Sequence, residues 1–256
     1  MNPFYKELFA GKHIIVTGAT SGAGRAATLL LNSLGATLTA FGRDDKKLQE
    51  LQKEIMMLPA TGSTIHTFVS ADFSKELSID AWSRYKAIDG IFHAAGTELI
   101  KPLRTLKMED ISNVFNVSFL SGIQLLQHVA HKGSMNDKGG SIVIMSSVSA
   151  SHGVSGMTGY SATKAAIEGL VRSAAVELAP QAIRVNAIAA GAFRSPMHER
   201  LTKTLTQEAQ DAYLRKHPLG FGDCEDVANV AAYLLCDAAK WVTGATWVVD
   251  GGYMNG

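Results

Sequence analysis

The chain has 256 residues, 46% apolar and 18% charged, and its 24 Lys and Arg against 23 Asp and Glu leave a formal charge of +1. That composition fills a sizeable core and argues against disorder, while the even charge balance leaves no basic face for nucleic acid or an anionic membrane. The only cysteines, Cys224 and Cys236, argue against a disulfide framework and a CxxC zinc site, and Met1–Lys12 shows no signal peptide, so a cytoplasmic, membrane-free protein is expected.

Short β-branched runs alternate with longer amphipathic stretches. A strand is predicted over His13–Thr17, then a glycine-rich turn and a helix over Gly24–Leu34. Ala36–Phe41 reads as the next strand and Asp45–Leu58 as the next helix, followed by a strand over Thr64–Val69 and a helix over Ser74–Lys86. Gly90–His93 and Ser141–Met145 are strands on either side of a long helix over Lys107–His131. A helix over Gly159–Leu178 stops at Pro180, and Arg184–Ile188 is the next strand. Two further helices, Thr206–Lys216 and Cys224–Cys236, precede a last strand over Thr246–Val249. Most of these strands are continuously apolar, as strands covered by helices on both faces must be. The alternation predicts an α/β fold: one Rossmann-type domain over 1–256, a doubly wound parallel sheet of about seven strands with right-handed crossovers.

Directly after the first strand stands Thr17-Gly18-Ala19-Thr20-Ser21-Gly22-Ala23-Gly24-Arg25, opening into a helix. Glycines there allow a tight turn and let a pyrophosphate approach backbone N–H groups at the helix N-terminus. The spacing differs from GxGxxG, and no Gly-Lys-Ser/Thr follows, so a Walker loop is excluded; an ordinary glycine-rich turn is the alternative reading. At the tip of the second strand stands Gly42 instead of the acid that would hold a ribose 2′-OH, with Arg43 beside it able to pair with a 2′-phosphate. Asp44 suits a helix cap better than a ribose contact. These features favour NADP(H), with NAD(H) as the alternative and Arg43 as a solvated loop charge in that case.

Tyr160 and Lys164 are spaced i, i+4 and so share a helix face. A unit positive charge about 4 Å from a phenol supplies at most ~4 kcal/mol at an effective dielectric of 20, or roughly 3 pKa units. That brings a phenol near working pH, where a general acid/base is most useful. Ser147 lies at the carboxyl end of a parallel strand and can hold a substrate carbonyl.

With these residues together, the sequence resembles the short-chain dehydrogenase/reductase family from about Lys12 to Tyr253. The resemblance rests on the glycine turn, Asp72, His93-Ala-Ala-Gly96, Asn116, Ser147, Tyr160-x-x-x-Lys164, Arg184-Val-Asn186, Gly191 and Ser195-Pro-Met197. It implies the strand order 3-2-1-4-5-6-7, Tyr160 as proton donor/acceptor, and Lys164 lowering its pKa and holding the nicotinamide ribose. Ser147 would orient the carbonyl and Asn116 would support a proton relay through water. The dinucleotide would be held by Gly18, Thr20, Ser21, Gly22, Ala23 and Gly24, by Arg43, Asp72 and Phe73, by Ala94, Ala95 and Gly96, and by Gly191, Phe193 and Ser195 besides Tyr160 and Lys164.

The chain departs from the family at Ala23, at His93-Ala94, at Ala190 and at Phe221, where arginine is usual; none of these removes a catalytic group. His93 reads as a satisfied core histidine, and no metal is expected. Residues 192–218 would form a lid over a mixed, moderately apolar substrate pocket that His152, Val154 and Met157 also border. The likeness is nearest to 3-oxoacyl-(acyl-carrier-protein) reductases, although Val176 stands where true members carry arginine. The expected function is hydride transfer between NADP(H) and a small carbonyl or secondary alcohol, by a homotetramer or homodimer. The rival readings are a non-catalytic nucleotide-binding or scaffold protein on the same fold, and an NAD-dependent sugar or steroid alcohol dehydrogenase.

Overall fold

The apolar runs become strands because each has packing partners on both sides. A computed structural model describes residues 4–58, 66–75, 84–131, 133–203 and 205–255. In β1 (His13–Thr17), Ile14 and Val16 enter one hydrophobic cluster while Ile15 enters a second on the opposite face. β4 (Gly90–His93) and β5 (Gly140–Ser147) do the same: Phe92 and Val143 join the first cluster, and Ile91, Ile142 and Ile144 the second. That alternation is the period of a pleated strand, and burial of both phases accounts for the unbroken apolar runs.

β2 (Thr37–Gly42), β3 (Thr67–Ser70), β6 (Ile183–Ala190) and β9 (Thr246–Val249) complete a seven-stranded sheet in the order β3-β2-β1-β4-β5-β6-β9, with every pairing parallel. This is the expected order; the final strand is ninth because β7 (Phe193–Arg194) and β8 (Gly222–Asp223) pair only with each other. α1 (Gly22–Ser33) and α8 (Cys224–Leu235) cover one face. α4 (Ser121–Ala130) and α5 (Thr158–Leu178) cover the other. α2 (Asp45–Met57) follows β2, and α6 (Pro196–Thr202) and α7 (Gln207–Arg215) lie between β7 and β8. Among the described residues, no helix is long and apolar enough to cross a membrane.

The single long helix expected over Lys107–His131 is interrupted. α3 (Met108–Phe115) runs into a π-turn over Asn116–Leu120 before α4 begins. The Ser121 hydroxyl donates back to the Val117 carbonyl at 2.7 Å, a local bond that competes with the regular helix ladder. The helix expected over Ser74–Lys86 has residues 76–83 outside the described residues, as are 64 and 65 of the third expected strand.

Candidate active site

Strand order reverses between β1 and β4, so the chains leaving their carboxyl ends diverge and open a crevice there. The register Thr17↔His93 sets Gly18 beside Ala94, where a Cβ on Gly18 would sit 2.8 Å from the Ala94 carbonyl oxygen; φ of Gly18 is +66°. A Cβ on Gly24 would overlap the Gly18 carbonyl, so the turn closes only with glycine at these positions. A Cβ on Gly22 would meet only Ser195, at 3.9 Å, but its φ of +55° favours glycine there as well. Ser21 heads α1 without a side-chain cap, and no acidic residue lies in the first turn. The first N–H groups of α1 are therefore available to an anionic group, which is what a dinucleotide pyrophosphate requires. Arg25 is already paired with Glu54.

At the tip of β2, a Cβ on Gly42 would lie 2.5 Å from Thr20 Cγ2, so any side chain there requires Thr20 to shift. The Asp44 carboxylate accepts the N–H groups of Lys46 and Lys47 at 3.0 and 3.2 Å and caps α2. Arg43 stays exposed on the cleft rim. Asp72 is held below the usual carboxylate range by hydrogen bonds from the Ser74 hydroxyl and N–H.

The groups expected to react come from the ends of β5 and α5. Tyr160 and Lys164 stand one turn apart near the start of α5, with Lys164 Nζ 5.5 Å from the phenol ring centre. Lys164 is only 3% exposed and spends one of its three N–H donors on the Met145 carbonyl at 2.9 Å. Burial without a carboxylate partner pushes its pKa down to about 8. Burial pushes Tyr160 up to about 12, against a hydrogen bond with Ser147 that pulls it down. The acidification of Tyr160 expected from the neighbouring lysine is outweighed here, because desolvation of the phenolate dominates. Ser147 Oγ accepts hydrogen bonds from the Ser149 N–H and hydroxyl at 3.2 and 3.0 Å. Its own proton is thereby free to be donated to Tyr160 or to a substrate oxygen.

Beneath this site His93 is 1% exposed and held at about 4, chiefly by burial. Thr17 Oγ1 accepts the Ala95 N–H at 3.1 Å and lies 2.8 Å from His93 Nδ1. His93 Nε2 lies 3.0 Å from Ser121 Oγ, whose proton goes to Val117, and 3.3 Å from the Ser118 carbonyl. Only the tautomer with hydrogen on Nε2 satisfies all these groups, so Thr17 donates to Nδ1 and the ring is neutral. His93 thus ties β1 to the π-turn.

All the residues expected to hold the dinucleotide, together with Ser147, border one cleft of about 640 Å³. Asn116 does not: its amide nitrogen donates to the Ser74 carbonyl at 3.2 Å. A glycine turn, a Tyr-x-x-x-Lys pair and a strand-end serine on one crevice form a recurrent constellation, and comparison with known proteins assigns it. Residues 18–254 match the family model described as enoyl-(acyl carrier protein) reductase. The chain belongs to the short-chain dehydrogenase/reductase family.

It is accordingly an NAD(P)-dependent oxidoreductase. A 3-oxoacyl-[acyl-carrier-protein] reductase of Thermotoga maritima is 36% identical, covering 94% of this chain and 97% of that protein. A glucose 1-dehydrogenase of Gluconobacter oxydans is 31% identical over 97% and 94% of the two chains. A short-chain type dehydrogenase/reductase from Mycobacterium ulcerans superimposes with a TM-score of 0.86 at 32% identity, covering 96% of this chain and 90% of that one.

Within this dehydrogenase/reductase the segment 192–218 borders the cleft through Met197, His198, Arg200 and Leu201. Arg200 Nε and Nη2 donate to the two carboxylate oxygens of Glu98 at 2.8 and 3.2 Å, joining α6 to the loop after β4. Arg194 instead pairs with Asp223 and does not border the cleft. Val154 and Met157 line the cleft as expected; His152 does not, and instead meets Tyr253 edge-to-face with ring centres 5.0 Å apart. Tyr213 and His217, inside the expected lid segment though not singled out there, also line it, as does Tyr253, which was not legible in the sequence. Tyr253 comes from a C-terminal turn after two positive-φ glycines, far from any motif.

Proposed function

We propose that this chain is an NADP(H)-dependent carbonyl reductase/alcohol dehydrogenase with Tyr160 as its general acid/base. The observation that carries this reading is the burial of Lys164 beside Tyr160, with the Ser147 hydroxyl against the phenol, on the cleft that the glycine turn enters. When bound, the nicotinamide supplies or takes up hydride. Tyr160, whose pKa lies well above neutrality, is protonated at working pH and is suited to donate to a carbonyl oxygen as that oxygen gains negative charge. Ser147 donates its free proton to the same oxygen, and Lys164 places a positive charge beneath the phenol as it ionises. The α1 N-terminus holds the pyrophosphate, and residues 192–218 act as a lid over the substrate. Loss of NADPH absorbance across a panel of β-ketoesters, acyl thioesters, keto-sugars and ketosteroids tests the reading; no turnover with either nicotinamide overturns it.

The preference for the 2′-phosphate rests on exposed Arg43, on glycine in place of an acid at position 42, and on the commitment of Asp44 to α2. A solvated guanidinium–phosphate pair is worth about 1.5 kcal/mol, the lower end for hydrogen bonds to charged groups. Arg43→Ala is therefore expected to lower the ratio of kcat/KM for NADPH over NADH about tenfold. An unchanged ratio rejects the assignment.

We also propose assembly into a symmetric homotetramer or homodimer. Leu103, Met108 and Val176 are each at least 70% exposed, an apolar display that a neighbouring copy of the chain would cover. Light scattering should give a multiple of the single-chain mass, and a single-chain mass alone rejects this.

A further inference from the structure

Away from the dinucleotide residues, the cleft is lined mostly by apolar side chains, among them Ile100, Val154, Met157, Met197, Leu201 and Leu205. Two groups of opposite charge stand among them, Glu98 from the loop after β4 and Arg200 from α6, and they are joined to each other. Arg200 Nε and Nη2 donate to the two Glu98 carboxylate oxygens at 2.8 and 3.2 Å. A bidentate pair of this kind occupies the edge of the guanidinium that would otherwise grip a carboxylate or phosphate.

The pair is not symmetric toward the reacting groups. The Glu98 side chain is the more sheltered member, 30% exposed against 59% for Arg200. Burial raises the pKa of the Tyr160 phenol, and the Glu98 carboxylate is close enough to raise it further. An anionic substrate with its carbonyl at Tyr160 would therefore bring its charge toward the negative member of the pair.

Other cations do not offset this. Arg194, Lys203, Arg215 and Lys216 of the lid segment do not border the cleft. Lys164 is 3% exposed and lies against the phenol ring, and Arg43 and Lys47 follow β2 at the dinucleotide end. Burial holds His198 below its ordinary pKa, so it adds no charge at neutral pH. The C-terminal part of the lid packs through rings instead of ions: Phe221 and Tyr253 have centres 5.0 and 4.7 Å from that of His217. A carboxylate entering this end meets a like charge, and the guanidinium beside it is already taken.

We infer that Glu98 is a specificity-determining residue: by taking up Arg200 and holding its own charge beside the reacting groups, it reserves the site for carbonyl compounds with no anionic group near the carbonyl. This assignment rests on the reductase reading above. The substrates it favours are neutral ketones, keto amides, ketoesters and oxoacyl thioesters, in preference to keto acids and keto phosphates.

The test compares kcat/KM for acetoacetamide and acetoacetate, which match in size and differ in charge, using NADPH and then NADH. Isobutyramide and isobutyrate are compared alongside, as inhibitors of whichever ketone in the carbonyl panel is reduced best. Wild type is expected to favour the neutral member about tenfold, a like-charge repulsion discounted for the exposure of the pair. E98Q removes the negative charge and leaves the guanidinium free for the anion, so that preference should fall about tenfold or invert. R200M leaves the Glu98 carboxylate uncompensated, so the preference should grow. Loosening of the lid would lower both members together and cancel in the ratio. Equal handling of the two members by wild type, a ratio unmoved by either variant, or movement in the same direction in both overturns the inference and leaves the reductase reading in place. Absence of turnover with every carbonyl of the panel, with either nicotinamide, removes both.

Discussion

Tyr160→Phe is expected to lower ketone reduction by about 10²–10⁴-fold, the usual worth of a positioned general acid. The substitution removes one oxygen and keeps the ring that packs near Lys164, so the cleft keeps its shape. The Ser147 alcohol proton is far too weakly acidic to be transferred in place of the phenol's, and Lys164 is anchored to the Met145 carbonyl through one of its three N–H donors. Affinity for NADPH, read by fluorescence titration, should stay nearly unchanged because the glycine turn and Arg43 are untouched. A large loss of nucleotide affinity, or turnover within a few-fold of wild type, would show that Tyr160 is not the proton donor.

The second large effect concerns acid stability and arises from His93. Its pKa is about 4 in the folded chain against an ordinary 6.5, so between those values the unfolded chain binds the extra proton. The stability contributed by the neutral ring is complete above pH 6.5 and is lost progressively as pH falls toward 4. The difference corresponds to about 3 kcal/mol by pH 4, at 1.36 kcal/mol per unit. Protonation would strip Nδ1 of the lone pair that accepts from Thr17, loosening the β1–β4 junction under the glycine turn. Urea midpoints from pH 7 to 4 should therefore drop more steeply for wild type than for H93N, which cannot titrate there. Parallel curves for the two proteins would refute this role.

Several elements could be read directly from the residues. β1 and β4 match the expected spans end to end, because a strand covered on both faces is an apolar run that stops at its turn, and β9 matches although it lies at the sheet edge with Val248 exposed. β5 and β6 extend farther than their apolar stretches, since Ser146 and Ser147 pair with Ala189 and Ala190 through backbone bonds that ignore side-chain polarity. The π-turn at Asn116–Leu120 left no periodic trace: it depends on Ser121 bonding Val117 locally while facing His93 from another strand. Asn116 followed from a motif, yet its amide is turned toward Ser74, a contact across 42 positions of sequence.

By itself, the sequence determined the α/β alternation, the glycine turn and the shared face of Tyr160 and Lys164. Those features depend on neighbours a few residues apart, whose geometry the backbone periods set. Only the tertiary structure decided that burial outweighs the lysine charge at Tyr160, that His93 is neutral, and that His217, Phe221 and Tyr253 make one aromatic corner. Desolvation and long-range packing depend on which distant segments close over a group, and no local pattern records that.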